Sequence, residues 1–149
     1  MDELRSEFLL ELSATLNTDS YQIGDGGHGA RRIIEVTGGS FEGPHLRGEV
    51  LPFGADFLAV RSDGVAELDV RIILRTDDGA EIYVTYLGLS HTQSLGPYGE
   101  IPEGERYFRT TPRFETGAEQ YQWLNRIFAV GVGQQAPPGT VRYLVYAIL

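Results

Sequence analysis

Apolar and polar residues alternate along most of the chain, and this period of two is typical of β-strands. The pattern is clearest in the first and last segments, at Phe8, Leu10, Leu12, Ala14 and Leu16 and at Val141, Tyr143, Val145 and Ala147. Further strands are predicted at about 30–36, 41–51, 55–61, 65–76, 80–89, 105–114 and 125–134. Helical spacing is confined to a single turn near 117–123. The chain is therefore predicted to be an all-β protein.

The connections between these segments favour an antiparallel meander. Asp63-Gly64 and Asp77-Asp78-Gly79 have the composition of hairpin turns, and most other connections are equally short. We predict a single antiparallel β-barrel of about nine or ten strands, because closure removes exposed strand edges. A two-sheet sandwich is the alternative. The glycine-rich stretch Asp19–Gly29 and the segment Ser94–Gly104 are predicted to be mobile loops that cover a barrel opening.

Length and composition narrow the class of protein. A chain of 149 residues is about one domain, and nothing in the sequence divides residues 1–149. The absence of cysteine removes thiol chemistry and disulfides, so we expect a cytoplasmic location. No apolar run approaches the roughly 20 residues that span a bilayer, and no signal peptide is visible. We expect no membrane association.

Charge makes nucleic acid an improbable partner. The formal net charge is -9, and all the positive side chains are arginines. An acidic chain repels phosphate backbones unless it has a local basic stripe, and Arg31-Arg32 is the only adjacent basic pair. The absence of lysine also excludes Schiff-base chemistry. His28, His45 and His91 are scattered without the spacing of a metal site, so we predict neither a metal nor another cofactor.

Two segments concentrate polar and aromatic side chains. Residues 107–125 combine arginines, tyrosines, Trp123 and Asn125, a mixture that neither a core strand nor a solvated loop requires. In the strand at 65–76, alternation places Glu67, Asp69 and Arg71 on the face opposite an apolar row. Either these charges form solvated surface ion pairs, or Asp69 and Arg71 point into a polar cavity.

Several ordered blocks resemble the bacterial and fungal family of domain of unknown function 3237. The blocks include Leu46-Arg-Gly-Glu-Val-Leu, Asp63-Gly-Val-Ala-Glu-Leu-Asp-Val-Arg, Tyr107-Phe-Arg-Thr-Thr-Pro-Arg-Phe-Glu-Thr-Gly and Tyr121-Gln-Trp-Leu-Asn. The resemblance spans nearly the whole chain and implies one β-barrel domain that forms a homo-oligomer, a dimer or higher. In outline such a barrel is similar to the calycin-like barrels of the allene-oxide-cyclase and dirigent type, an analogy of fold alone. The resemblance implies no activity.

The same resemblance favours a site over a solvated surface, because its blocks contain most of the polar candidates. We predict Asp69 as the proton-transfer residue, Arg71 as its electrostatic partner and Asp56 as a second carboxylate candidate. The residues predicted to shape the substrate pocket are Tyr86, Tyr107, Arg109, Thr111, Trp123 and Asn125. The predicted ligand is a small hydrophobic or aromatic molecule.

Elimination leaves cofactor-free acid–base chemistry as the predicted reaction type. The sequence contains no Gly-x-Ser-x-Gly elbow and no dinucleotide-binding context, so covalent acyl transfer and hydride transfer lack support. A buried carboxyl group beside a guanidinium suits an isomerase, a cyclase or a hydratase/lyase. Two alternatives stay open: a carrier barrel that binds its ligand unchanged, and an oligomer whose aromatic cluster is an interface.

Overall fold

The computed structural model describes residues 2–149, and within that range the chain forms eleven β-strands and two 3₁₀ segments. The strands are β1 (Ser6–Leu16), β2 (Tyr21–Asp25), β3 (Ala30–Glu42), β4 (Arg47–Val50), β5 (Ala55–Val60), β6 (Ala66–Thr76), β7 (Glu81–His91), β8 (Tyr107–Thr110), β9 (Arg113–Glu115), β10 (Phe128–Gln134) and β11 (Thr140–Ile148). The 3₁₀ segments are Gly96–Tyr98 and Glu119–Arg126. The all-β prediction is confirmed.

Eight of the strands close into an antiparallel barrel. Their order around the barrel is β6, β5, β3, β1, β11, β10, β8 and β7, and β7 pairs back with β6 to complete the ring. Of the remaining three, β2 pairs with β3, β4 lies between β3 and β6 in line with β5, and β9 continues β8 along β7. The barrel prediction is therefore confirmed over the sandwich.

Some predicted boundaries are wrong for identifiable reasons. The predicted strand at 30–36 continues to Glu42 as β3, which bends at Gly38 and Gly39 where the register against β1 shifts. The predicted strand at 41–51 is divided by a turn at 43–46 into the end of β3 and the separate strand β4. The predicted strand at 105–114 divides into β8 and β9 at Thr111-Pro112, because proline has no N–H to donate to a ladder. The predicted loop at 19–29 contains β2. The predicted helical turn is the 3₁₀ segment Glu119–Arg126, which delays the start of β10 to Phe128.

Side chains from the inner faces of the strands fill most of the barrel. The side chains with the least solvent exposure are Leu10, Ile72, Leu74, Ile82 and Leu124, with Val70 and Val84 beside them. Leu124 belongs to the segment Glu119–Arg126, whose neighbouring Trp123 and Tyr121 also pack against this core. Each fully buried aliphatic side chain stabilises the fold by about 1.5–3 kcal/mol. One end of the barrel is thus sealed by apolar packing.

Two glycines on the inner face of β10 make room for larger residues of β8. Gly131 pairs with Thr110, and Gly133 pairs with Tyr143, so both glycines face inwards. A methyl group added at Gly133 would overlap the Phe108 ring, and one added at Gly131 would overlap the Thr110 hydroxyl. The position of Phe108 therefore depends on the absence of a side chain at Gly133.

We expect Gly133→Ala to lower the free energy of unfolding by about 1–3 kcal/mol, because the added methyl group displaces the buried Phe108 ring. Gly26→Ala is the matched control, since a methyl group there meets nothing within 4 Å. Urea unfolding of both variants measures the difference. Equal stability of the two variants would show that Phe108 moves aside at no cost.

A polar cluster at the open end of the barrel

The two ends of the barrel differ in how well their inner faces are covered. We call the mouth the end at which β1, β5, β7 and β10 finish and β3, β6, β8 and β11 begin. Inner-face residues near the mouth are only half-buried, namely Leu16, Ile34, Leu58, Ala66 and Val141. The inner side chains farther from the mouth are almost fully buried. The mouth is therefore the end at which the barrel interior meets solvent.

Asp56 places a carboxylate on the inner face of β5, four residues before that strand ends at the mouth. It pairs with Ile34 of β3 and with Val70 of β6, and directly paired residues of antiparallel strands share a face. Val70 is only 2% exposed and belongs to the core, which fixes that face as the inner one. Asp56 itself is half-buried, and its Oδ1 accepts a hydrogen bond of 3.1 Å from the Asp69 amide. One carboxylate oxygen is held in place, and the carboxylate borders the interior.

The environment of Asp56 favours the protonated form of its carboxyl group. Burial raises the pKa of Asp56 from 3.8 to about 6, the Asp69 amide hydrogen bond lowers it, and the Asp69 carboxylate raises it. Desolvation is the largest of these effects because it penalises the charged form. A carboxyl group with this pKa exchanges protons readily near neutral pH, which is the property required of an acid–base catalyst.

Two tyrosine hydroxyls lie inside the barrel within electrostatic range of Asp56. Tyr86 pairs with Val70, so it shares the inner face with Asp56. The Tyr86 and Tyr143 hydroxyl oxygens are 3.4 Å apart, and their rings meet edge to face at 5.4 Å. Burial raises the pKa of both phenols, and the Asp56 carboxylate raises each of them further. Both phenols therefore stay protonated, and since the Tyr86 hydroxyl donates to the Tyr143 oxygen, the Tyr143 hydroxyl proton is the one left for another acceptor.

Arg106 brings a positive charge to the same end. It precedes Phe108 by two residues, and its guanidinium lies 4.4 Å from the centroid of the Phe108 ring. Its Nη1 donates a hydrogen bond of 3.3 Å to Ser90 Oγ. The Arg106 charge partly offsets the burial that raises the pKa of Tyr143, which places Arg106 close to the tyrosine pair. Phe108 in turn packs edge to face on Tyr143, at 5.3 Å.

The hypothesis that Asp69 and Arg71 point into the barrel is wrong. Asp69 pairs with Leu87, which is 63% exposed, and Arg71 pairs with Thr85, so both lie on the outer face. The physical reason is the neighbouring row from Leu68 to Leu74, whose aliphatic side chains occupy the interior. Asp69 and Arg71 instead border an outer groove of about 570 Å³, together with Thr111, Arg113 and Phe128.

Four of the predicted pocket residues lie away from the cluster inside the barrel, namely Tyr107, Arg109, Trp123 and Asn125. Tyr107 lies on the outer face, where it stacks on His91 at 5.1 Å and lies 5.2 Å from the Arg109 guanidinium. The other two lie at the sealed end: Trp123 packs against the core, and Asn125 exchanges two hydrogen bonds with the backbone of Thr116. Of the nine residues predicted from the sequence, only Asp56 and Tyr86 come together inside the barrel.

Sequence reasoning missed Tyr143, Arg106 and Ser90 as members of the site. Tyr143 continues the apolar row of the last strand, where a phenol ring reads as core packing. Its polar tip was the available signal, since a buried tyrosine hydroxyl normally has a partner. Arg106 lies two residues before Phe108, and an inward assignment of Phe108 would have indicated that Arg106 points the same way.

Within residues 2–149, no group of three or more histidine, aspartate or glutamate side chains is arranged to hold a metal ion. Over the same residues, no helix has the length and apolar character needed to cross a membrane.

Comparison with known proteins identifies relatives across nearly the whole chain. A UPF0311 protein of Rhodopseudomonas palustris is 39% identical over 137 residues, which is 86% of this chain and 86% of that protein. The crystal structure of a β-barrel like protein from Acinetobacter baumannii has a TM-score of 0.89 and 36% identity, and the match covers 100% of this chain and 98% of that one.

Enzymes also occur among the relatives. A hydroalkoxylation enzyme of Penicillium herquei is 31% identical over 102 residues, which is 68% of this chain and 56% of that enzyme. The crystal structure of an enzyme from the same fungus has a TM-score of 0.71 and 25% identity, and the match covers 100% of this chain and 97% of that one. A family model described as a protein of unknown function, DUF3237, matches residues 4–148, and the chain therefore belongs to that family of β-barrel proteins.

Proposed function

We propose that this protein is a cofactor-free acid–base enzyme that isomerises or cyclises a small hydrophobic or aromatic molecule at the mouth. The observation that carries the proposal is the position of Asp56, a half-buried carboxyl group with a pKa of about 6 near two protonated phenols inside the barrel. A carboxyl group and neutral hydrogen-bond donors suffice for proton transfer to and from carbon or oxygen. The activity named for the fungal relative is of this general kind.

The addition of a hydroxyl group across a carbon–carbon double bond illustrates the step. The protonated Asp56 carboxyl group donates its proton to one alkene carbon, and the alkene π electrons form the new C–H bond. The substrate's hydroxyl oxygen attacks the other carbon and forms the C–O bond. The proton of that oxygen then returns to the Asp56 carboxylate, so the product is an isomer of the substrate. The reverse sequence is an elimination.

The surroundings of Asp56 suit an aromatic substrate. The half-buried aliphatic side chains of the mouth, such as Leu16, Leu58 and Val141, provide apolar surface above the buried Phe108 and Tyr143 rings, which favours a ligand of the same character. The Tyr86 and Tyr143 hydroxyls bond to each other and retain a donor for a substrate oxygen. Burial keeps these donors away from bulk water, where they would be weaker.

We expect Asp56→Asn to lower kcat by about 100-fold or more, because the amide cannot transfer the proton. An asparagine oxygen can still accept the Asp69 amide hydrogen bond. The probe substrate is a phenol with an ortho prenyl group, and chromatography detects the cyclic ether as an isomer of unchanged mass. Glu67→Gln, a carboxylate on the outer face opposite Leu89, is the matched control and is expected to retain its rate.

Unimpaired turnover by Asp56→Asn would refute the proposal. If the wild-type protein binds the prenylated phenol and several related phenols but converts none of them, the proposal also fails in favour of a carrier.

A raised pKa also predicts how Asp56 affects stability. Between pH 3.8 and about 6 the folded state binds more protons at Asp56 than the unfolded state, so its contribution to stability falls as pH rises through that window. We expect Asp56→Asn to be more stable than wild type by about 3 kcal/mol at pH 7, and equal to it below pH 3.8. Urea unfolding at a series of pH values measures this difference.

The control for that experiment is a carboxyl group whose pKa is lowered, so that its substitution should change stability with pH in the opposite direction. A hydrogen bond from the Thr76 hydroxyl holds the pKa of Asp78 below its usual value. As pH rises and the Asp78 carboxyl group ionises, Asp78→Asn should therefore become less stable relative to the wild type. A constant stability difference for Asp56→Asn at all pH values would contradict the assignment of a desolvated carboxyl group.

We also propose that the protein forms a homo-oligomer through its outer groove. Leu87 and Phe128 border that groove and are 63% and 67% exposed, which is costly for large apolar side chains of a monomer. Sedimentation velocity should give a mass above 16.5 kDa for the wild type and a smaller mass for Phe128→Ser. Ile23→Ser, equally exposed on β2, should leave the mass unchanged. A monomeric wild-type protein would end this proposal.

A further inference from the structure

A second groove opens beside the mouth and is lined by two arginines. Its volume is about 800 Å³, and it lies between the β7–β8 and β10–β11 connections. Its lining includes Thr92, Glu105, Arg106, Arg109 and Gln134. Gly133, which faces inwards beside Phe108, also lines it. The groove therefore reaches β10 at the point where Phe108 packs against Gly133.

Each of the two guanidiniums is held in place by an aromatic ring. Arg106 lies 4.4 Å from the Phe108 ring centroid, and Arg109 lies 5.2 Å from that of Tyr107. Arg109 Nη1 also donates a hydrogen bond of 3.0 Å to the Phe108 carbonyl oxygen. A guanidinium has five N–H donors, so most of the donors of each side chain stay free for a ligand. The rings fix the planes of the guanidiniums in advance, which lowers the entropic cost of binding.

The groove is positively charged, whereas the chain as a whole is negatively charged. The protein has a formal net charge of -9, yet the groove contains two arginines and one carboxylate, that of Glu105. Across the residues that the structure describes, four other arginines form ion pairs with carboxylates, namely Arg47, Arg61, Arg75 and Arg142, whereas Arg106 and Arg109 form none. Two arginines that form no ion pair with a carboxylate, beside an apolar opening, match an anionic group on an aromatic molecule.

We infer that this arginine groove binds the anionic end of the substrate, a carboxylate or a phenolate, while the aromatic part enters the mouth over Phe108. The inference rests on the proposed function for the identity of the ligand as a substrate. Arg106 and Arg109 are specificity residues in this account. They select the ionised form of an aromatic molecule, and Asp56 acts on the part of it that lies inside the barrel.

Two fluorescent probes that share their rings and differ in charge test the groove directly. Anilinonaphthalenesulfonate carries an anionic group, and phenylnaphthylamine lacks it. We expect Arg106→Gln combined with Arg109→Gln to raise the Kd of the sulfonate by about tenfold or more, because charge-assisted hydrogen bonds are lost. The Kd of the neutral probe should stay within twofold of the wild type. High salt should weaken binding of the sulfonate alone.

Arg113→Gln is the matched control. Arg113 also lies over an aromatic ring, 4.9 Å from the centroid of Phe128, but it borders the outer groove. Its substitution should leave both Kd values unchanged. An unchanged sulfonate Kd in the double variant, or an equal loss of both probes, would overturn the inference. Near-ultraviolet circular dichroism of the double variant establishes that Tyr107 and Phe108 keep their packing.

The two proposals fail separately. If the double variant loses the sulfonate while Asp56→Asn retains full turnover, the arginine groove stands and the proposed catalytic role of Asp56 falls. If Asp56→Asn loses turnover while the double variant binds the sulfonate as the wild type does, the catalytic proposal stands and the groove is not a site for anions.

Discussion

The interior volume of an eight-stranded barrel is the constraint on which this structure depends. A ring of eight strands is just wide enough for its own inward side chains to fill it. Here aliphatic residues such as Leu10, Ile72 and Leu74 occupy that space, and the segment Glu119–Arg126 covers one end with Leu124. Ionisable side chains of the inner faces are consequently confined to the part of the barrel toward the mouth, which aliphatic residues do not fill completely. The position of the candidate site follows from packing rather than from any sequence motif.

Local irregularity in the sheet explains how a carboxylate is accommodated there. The ladder between β5 and β6 pairs Asp56 with Val70 and then resumes at Ala59 with Glu67, without paired residues between them. Asp56 fills part of this interruption by accepting the amide hydrogen of Asp69. An amide that would otherwise lack a partner thereby fixes one carboxylate oxygen. The side chain proposed to transfer protons is thus also one that the backbone needs as a hydrogen-bond acceptor.

The fold was largely predictable from the sequence, and the site was not. Period-two alternation and short turns identified the barrel, because those signals are local and each strand carries its own. The error over Asp69 and Arg71 arose because alternation separates two faces without saying which one is inside. The apolar row from Leu68 to Leu74 was the better guide, since an interior of this width admits little else. Tyr143 and Arg106 are distant in sequence from Asp56, and closure of the ring brings Tyr143 within electrostatic range of both Asp56 and Arg106.

Because Trp123 and Leu124 seal one end of the barrel, a ligand that binds at the opposite end has a single opening for entry and exit. With no second passage through that apolar plug, a molecule leaves by the route through which it arrived. In the proposed enzyme, reactant and product therefore compete for one opening, and product inhibition is competitive. Product that accumulates in such an enzyme slows the reaction at low reactant concentration, and a high reactant concentration overcomes it.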